Sequence, residues 1–387
     1  MTILWIWLVF FWGGYCVKLS GNYSLGYYFV YGHFGTPGQI QTLILDTGSS
    51  LTLTVCKGCE NCGKHSYPPF DPMASSTFVE LEANRTFAIT YAEGSSYNGR
   101  LFSDVLKLEG QKSGNRGVLG CVKKESGAVR VQPAEGILGL GVSALFAHNN
   151  MRPFAICLGH NGGEASFAGW NQHLHSGPQR FINSTPKLFS RQYGVELRAF
   201  SIAGRRIVLP PEPGESMIPF FDTGSTVVYF SRPVYDALAE GLSRFCASAF
   251  RNCAGHKKFA PCLTSPKVAS RSFLSTFPNI NLHFNGTSLT WKPQDFFYRS
   301  ADDQYCVLWE EGEQTVLGAP LMRNLDVLFD PQNFRLGIAN ARCSGLELHG
   351  QFMPKTYPSW VRPRPSTVLA SRNSPFWVDR LDFFSEH

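Results

Sequence analysis

Charge is scarce in this chain. Lys, Arg, Asp and Glu make up 17% of its 387 residues, and the formal excess of +6 is spread along the length without a basic run. That pattern excludes a nucleic-acid-binding stripe and a polybasic membrane patch. Long apolar stretches are lacking as well: residues 1–12 are almost wholly apolar but too short to span a bilayer. There is no His-Glu-x-x-His, the helix-borne ligand pair of zinc hydrolases, and no Lys-Asp-Glu-Leu type ending. No metal or cofactor is expected from these absences, and no membrane anchor is evident.

What the chain does have is turns and short apolar runs. With 37 Gly, 24 Pro and 43% hydrophobic residues, it suits a mainly β protein with many short strands. Its length fits two domains. The segments YYFVYGHF, QTLILD, TFAITY, RIVLP and VVYF predict strands, separated by Gly, Pro, Asn and Ser clusters. RPVYDALAEGLSRF, with Pro233 near its start and Val234, Leu238 and Leu242 at helical spacing, predicts a helix.

The two ends differ from the middle. The apolar start, with Gly14 and Cys16 behind it, reads as a secretory signal peptide over residues 1–16, although it lacks a Lys or Arg in front; a buried first strand is the alternative. Sequons at Asn22, Asn84, Asn183 and Asn285 suit a lumenal, glycosylated protein. Removal of Cys16 from the eleven Cys leaves Cys56, Cys59, Cys62, Cys121, Cys157, Cys246, Cys253, Cys262, Cys306 and Cys343, an even set suited to disulfides in an oxidising compartment. Cys56, Cys59, Cys62 and His65 also have the spacing of a zinc site, but the secretory start tips the balance toward disulfides. Residues 346–387 mix Pro, Arg and Ser with isolated aromatics, which predicts an extended or disordered tail.

Between the ends the chain repeats itself. Asp46-Thr47-Gly48-Ser49 is followed by Ile137-Leu138-Gly139, and Asp222-Thr223-Gly224-Ser225 by Val316-Leu317-Gly318 at nearly the same distance. The repeat predicts two related β lobes, residues 17–180 and 181–345, with a pseudo-two-fold axis between the two Asp residues. Each Asp follows a run of apolar residues, so an isolated charge there would be costly to bury. An Asx-type turn accounts for either corner alone, but not for the duplicated spacing.

If the corners meet, two adjacent carboxyls cannot both ionise and hold one proton in common. One is then a base able to deprotonate a water, and the other an acid able to hydrogen-bond a developing oxyanion. Gly48 and Gly224 would let backbone N–H groups approach the carboxylates. Ser49 and Ser225 would offer hydroxyls to the outer oxygens, and Thr47 and Thr223 would point away and bond across the lobes.

On GTPGQIQTLILDTGSS, AEGILGLG, FDTGST and VLGAPLMRNLDVLFD, the chain resembles the pepsin-type aspartic proteases from about Tyr27 to Cys343. The resemblance implies a bilobal β fold with an inter-lobe cleft, endopeptidase activity on a peptide or protein substrate, and Asp46 and Asp222 as the catalytic pair. FAITYAEGSSYNG lies in the place of the family's substrate-covering hairpin, making Tyr91 the flap tyrosine and Gly94 its turn residue. Within the family the chain is most similar to the apicomplexan plasmepsin V-like group, through its Cys-rich insert, a flap reading Tyr-x-Glu-Gly-Ser, and FSDVL. That likeness implies an enzyme of the secretory pathway that cleaves after Arg-x-Leu, with Glu93 facing the substrate Arg; the chain is expected to be a monomer, in the endoplasmic reticulum or Golgi lumen or secreted. A solvated Glu at the flap tip is the plain alternative. Leu53 stands where pepsin-like enzymes carry a flap-bonding Trp, and Ala92 where malarial members place a Cys. A cleft that grips peptides without cutting them is the competing function; a zinc protein built on the Cys cluster is a remote third.

Overall fold

The structure, a computed structural model, describes residues 15–22, 26–82, 85–91, 94–144, 152–167, 169–189, 192–210, 218–248, 252–256, 258–264, 270–300 and 304–343. The signal-peptide segment up to residue 14, Asn84, Glu93 and the tail from residue 344 lie outside these.

The first lobe is built of β1 (Tyr15–Asn22), β2 (Tyr27–Phe34), β3 (Gln39–Asp46), β4 (Leu53–Glu60), β5 (Val79–Glu80), β6 (Thr86–Thr90), β7 (Ser96–Leu108), β8 (Asn115–Ser126), β9 (Gly136–Gly139), β10 (Phe154–Leu158) and β11 (Asn161–Phe167). They form one 11-stranded sheet in the order β10-β11-β1-β2-β3-β9-β4-β8-β7-β5, with β6 on β7. β1 starts at Tyr15, inside the segment expected to be a signal peptide over residues 1–16 and two residues before the expected start of the lobe at residue 17, and so follows the alternative of a first strand there. It alternates buried Val17 and Leu19 with outward Cys16 and Lys18, and pairs with β2 and β11. Its period-two pattern is short and runs into a positive-φ Gly21, so it reads weakly in the sequence.

The second lobe repeats part of this layout. Strands Phe220–Asp222, Val316–Gly318, Val228–Ser231 and Trp309–Gly312 lie side by side in that order, as β3, β9, β4 and β8 do in the first lobe. In both sets the outer pairs are parallel: Leu43 to Asp46 run alongside Gly136 to Gly139, and Phe220 to Asp222 alongside Val316 to Gly318. The pairing brings each Asp level with the Gly of its apolar-apolar-Gly turn.

Helix Arg232–Ser248 forms where predicted and buries Val234, Leu238 and Leu242. One core cluster runs from Val17 in the first lobe to Ile338 in the second. The lobes meet at their base, where Phe154 of β10 stacks on Phe329 at 4.9 Å and Tyr193 donates a 2.8 Å hydrogen bond to the Leu140 carbonyl.

Five disulfides take up the ten predicted cysteines. Cys56–Cys121 links β4 to β8, Cys59–Cys62 closes the insert, Cys157–Cys343 ties the end of the second lobe to β10, and Cys246–Cys253 and Cys262–Cys306 lie within the second lobe. The Cys-rich insert is therefore divided between a long bridge and a local one. His65 faces Glu125 at 3.3 Å and the Gln132 carbonyl rather than the sulfurs. Cys16 is the free cysteine among the described residues.

Candidate active site

Each Asp corner sits where a strand ends and the backbone turns back across a Gly-containing neighbour. Leu140 N–H donates to the Asp46 carbonyl at 2.8 Å, and Ala319 N–H to the Ser225 carbonyl at 3.0 Å, fixing each corner against its partner turn. The corners meet across the lobe interface. A methyl added at Gly48 would lie 2.7 Å from the Asp222 carboxyl carbon, and one at Gly224 would lie 2.7 Å from Asp46 Oδ1. No side chain fits at either position, which is the physical need for glycine there.

Thr47 and Thr223 lock the interface from beneath. Thr47 Oγ1 accepts the Thr223 N–H (3.0 Å) and donates to the Phe221 carbonyl (3.1 Å). Reciprocally, Thr223 Oγ1 accepts the Thr47 N–H (3.1 Å) and donates to the Leu45 carbonyl (2.9 Å). All four backbone groups are paired in a region closed to water, as burial demands. The threonines thus point away from the carboxyls and bond across the lobes, as the repeat predicts.

The two carboxyls are less alike than their sequences. Asp46, 4% exposed, accepts the Gly48 N–H at 2.9 Å and the Ser49 hydroxyl at 2.5 Å. Asp222, half-buried, accepts the Gly224 N–H at 2.8 Å, but Ser225 turns its hydroxyl to the Val227 carbonyl at 3.0 Å. Ser225 is therefore a correction: its expected bond to the carboxylate gives way to a local one, because Val227 O lies within reach two residues on. Burial, then the Asp46 charge and a hydrogen bond shared with that carboxyl, raise the Asp222 pKa well above its ordinary value; the N–H groups of Gly224 and Gly48 oppose the rise without offsetting it. Donors to an ionised carboxylate stabilise it. The Ser49 hydroxyl on Asp46 has no counterpart on Asp222, so the two carboxyls sit in unequal surroundings.

Over the first lobe, β6 and β7 form the predicted hairpin. Tyr91 N–H donates to the Ser95 carbonyl at 2.8 Å, and Gly94, exposed at φ 89°, makes the turn. The Tyr91 ring stands edge-on to Tyr97 at 5.9 Å and packs against a cluster containing Leu53. Leu53 is fully buried there, so the position that carries Trp in pepsin-like chains belongs to the core below the hairpin. Two supports escaped the sequence reading. Ser95, 1% exposed, accepts the Ala128 N–H and anchors the hairpin base. Glu135, also 1% exposed, accepts from the Thr42 N–H and hydroxyl and the Tyr67 N–H, each at 2.6 Å. Its one sequence signal is a charge set directly before the apolar run at Ile137.

Comparison with known proteins agrees with this geometry. A family model for the eukaryotic aspartyl proteases matches residues 27–341. Aspartic protease 5 of Toxoplasma gondii is 26% identical over 377 residues, covering 84% of this chain but 37% of that protein. Aspartic proteinase 36 of Arabidopsis thaliana is 26% identical over 381 residues, covering 83% and 75% of the respective chains. Plasmepsin V of Plasmodium falciparum is 22% identical over 438 residues, covering 85% and 73%. Among the described residues no helix is long and apolar enough to cross a membrane.

Proposed function

Because the chain belongs to the eukaryotic aspartyl protease family, we propose that it is an endopeptidase whose chemistry is carried by Asp46 and Asp222. A water held between the carboxyls loses a proton to ionised Asp46 as its oxygen attacks the peptide carbonyl carbon. Protonated Asp222 hydrogen-bonds the carbonyl oxygen as it gains charge. Collapse of the tetrahedral carbon breaks the C–N bond, and the proton taken up by Asp46 passes to the leaving amine. Tyr91 and Gly94 close the site from above and exclude solvent from the charged intermediate.

The observation supporting this reading is the mutual approach of each carboxyl to the other lobe's glycine, with unequal donors on its two members. Cleavage of a peptide library tests it. Asp46→Ala and Asp222→Asn should each reduce the rate by about a hundredfold or more, the scale of acid–base catalysis. Equal cleavage by wild type and both variants overturns the assignment, and leaves a peptide-gripping cleft as the function.

The substrate reading goes further. By its place in the flap sequence Glu93 is the carboxylate expected to meet a substrate guanidinium, and such a pair would be a strong charge-assisted contact. With the likeness to plasmepsin V and Toxoplasma aspartic protease 5, this supports processing of secretory-pathway proteins after Arg-x-Leu. Replacing Arg by Ala in such peptides should lower kcat/KM at least tenfold, and Glu93→Gln should abolish the difference. Indifference to the Arg places the chain with general pepsin-like proteases.

A further inference from the structure

A cavity of about 490 Å³ lies on the seam at the base of the lobes, a volume in the range of small-ligand sites. The first lobe contributes His160 and Asn161, where β10 turns into β11; the second contributes Lys292, Asp295, Arg323 and Arg342. The seam is closely tied. Asn324 N–H donates to the Leu158 carbonyl at 2.9 Å, and the Cys157–Cys343 bridge closes the same edge. Among the described residues, neither Asp corner nor the β6–β7 hairpin contributes to the cavity wall, so this site is separate from the candidate active site.

Its charge is one-sided. Three cations, Lys292, Arg323 and Arg342, stand against a single carboxylate, Asp295, among the described lining residues. Lys292 and Arg342 are exposed, whereas Arg323 is 7% exposed and its Nη1 donates to the Asp295 carbonyl at 3.2 Å. A guanidinium held that way is in position before a ligand arrives, and its planar fork matches two oxygens of a tetrahedral oxyanion. Asp295 would repel such a group. Burial pushes its carboxyl up to about 6, although Arg323, Lys292 and the Asn324 amide act to lower it, so a proton taken up as the anion enters removes the repulsion. The buried Tyr28 of β2 stands near Arg323 and Asp295 from the first lobe. Much of the remaining wall is polar: the amides of Asn161, Gln294, Asn324 and Asn340 and the hydroxyl of Thr290 line it, donors and acceptors suited to hydroxyl groups.

We propose that this cavity binds a small polyhydroxy ester of phosphate or sulfate, the three cations holding the oxyanion and the amides the hydroxyls. The inference stands independently of the endopeptidase reading. With groups of both lobes on one ligand, binding also braces the base of the molecule.

Calorimetric titration of the full chain at neutral pH tests it, with glucose 6-phosphate, glucose 6-sulfate, inorganic phosphate and sulfate as probes and glucose as the uncharged reference. One or both esters should bind with a Kd of about 1 mM or tighter, more tightly than the matching inorganic ion, and raise the melting temperature; glucose should do neither. Lys292→Ala combined with Arg342→Ala should weaken binding about tenfold or more and leave the unliganded melting temperature unchanged. Asp295→Asn should strengthen it about threefold. Arg323→Lys keeps the charge but loses the fork and should weaken binding; where that variant fails to fold, the exposed pair decides. The ester that binds more tightly identifies phosphate or sulfate as the group recognised. Binding of neither ester, esters no tighter than the bare ions, or an affinity unchanged in the Lys292→Ala, Arg342→Ala protein overturns the proposal.

Discussion

Replacing Thr47 by Val separates the packing of the lobe junction from its hydrogen bonding. Thr47 is fully buried, and its hydroxyl serves two backbone groups of the other lobe, accepting the Thr223 N–H and donating to the Phe221 carbonyl. Val fills nearly the same volume but serves neither. Each buried group left unpaired costs about 1–3 kcal/mol, so the loss should be about 2–6 kcal/mol, set against a typical total of about 5–15 kcal/mol. Thr47→Ser keeps the hydroxyl and loses one methyl, worth about 1 kcal/mol.

Urea unfolding followed by Trp fluorescence and circular dichroism measures the difference, provided that the two transitions coincide. Activity should fall further than stability alone explains, because the same bonds set the carboxyl-to-carboxyl geometry and a displacement of about 1 Å can cost a hundredfold in rate. Ser should stay within about tenfold of wild type. If Val and Ser are equally stable and equally active, the cross-lobe bonds contribute nothing and the account of the junction is wrong.

Two further outcomes follow from the geometry. The Asp222 pKa is raised on folding, so the folded chain keeps a proton that the unfolded chain releases above about pH 4. Its contribution is full below that pH and is lost as pH climbs through the raised value; Asp222→Asn has no such titration. The melting-temperature difference between wild type and Asn should therefore turn against wild type as pH rises through this window, and a constant offset would show that Asp222 titrates as a free carboxyl. Separately, the Cys157–Cys343 bridge spans 186 residues, for which the chain-entropy account gives about 5 kcal/mol as an upper figure. The Cys157→Ser, Cys343→Ser double variant should melt well below wild type under non-reducing conditions; an unchanged melting temperature would mean that the Phe154–Phe329 packing and the Tyr193 hydrogen bond hold the base of the lobes without the bridge.

Much of the site was legible because its requirements are local. An Asp behind an apolar run, followed by Thr and Gly, can be read within four residues and is written twice, although the groups that require the Thr and the Gly lie in the other lobe. The helix from Arg232 showed through its apolar period, and the even cysteine set through its number. What stayed hidden depends on long-range partners. Disulfide pairing follows the registry of β4 with β8 and of β10 with the second lobe's end, which spacing does not encode. β1 pairs with β2 only at its end, and along most of its length with β11, roughly 140–150 residues away in sequence. Glu135 and Ser95 are conspicuous only once the strands they brace are in place.

The deepest limit concerns the dyad itself. Both corners read Asp-Thr-Gly-Ser, and duplication predicts two equivalent carboxyls, yet acid–base chemistry needs two different ones. The structure breaks the equivalence outside the motif. Ser49 stays on Asp46, whereas Ser225 turns its hydroxyl to the Val227 carbonyl instead of Asp222. A hydrogen bond to a charged group is worth about 1.5–3 kcal/mol, so one hydroxyl more or less is enough to make the two carboxyls unequal. Symmetry of sequence thus builds the shared site, and one side-chain rotation in the second lobe makes its two carboxyls unequal.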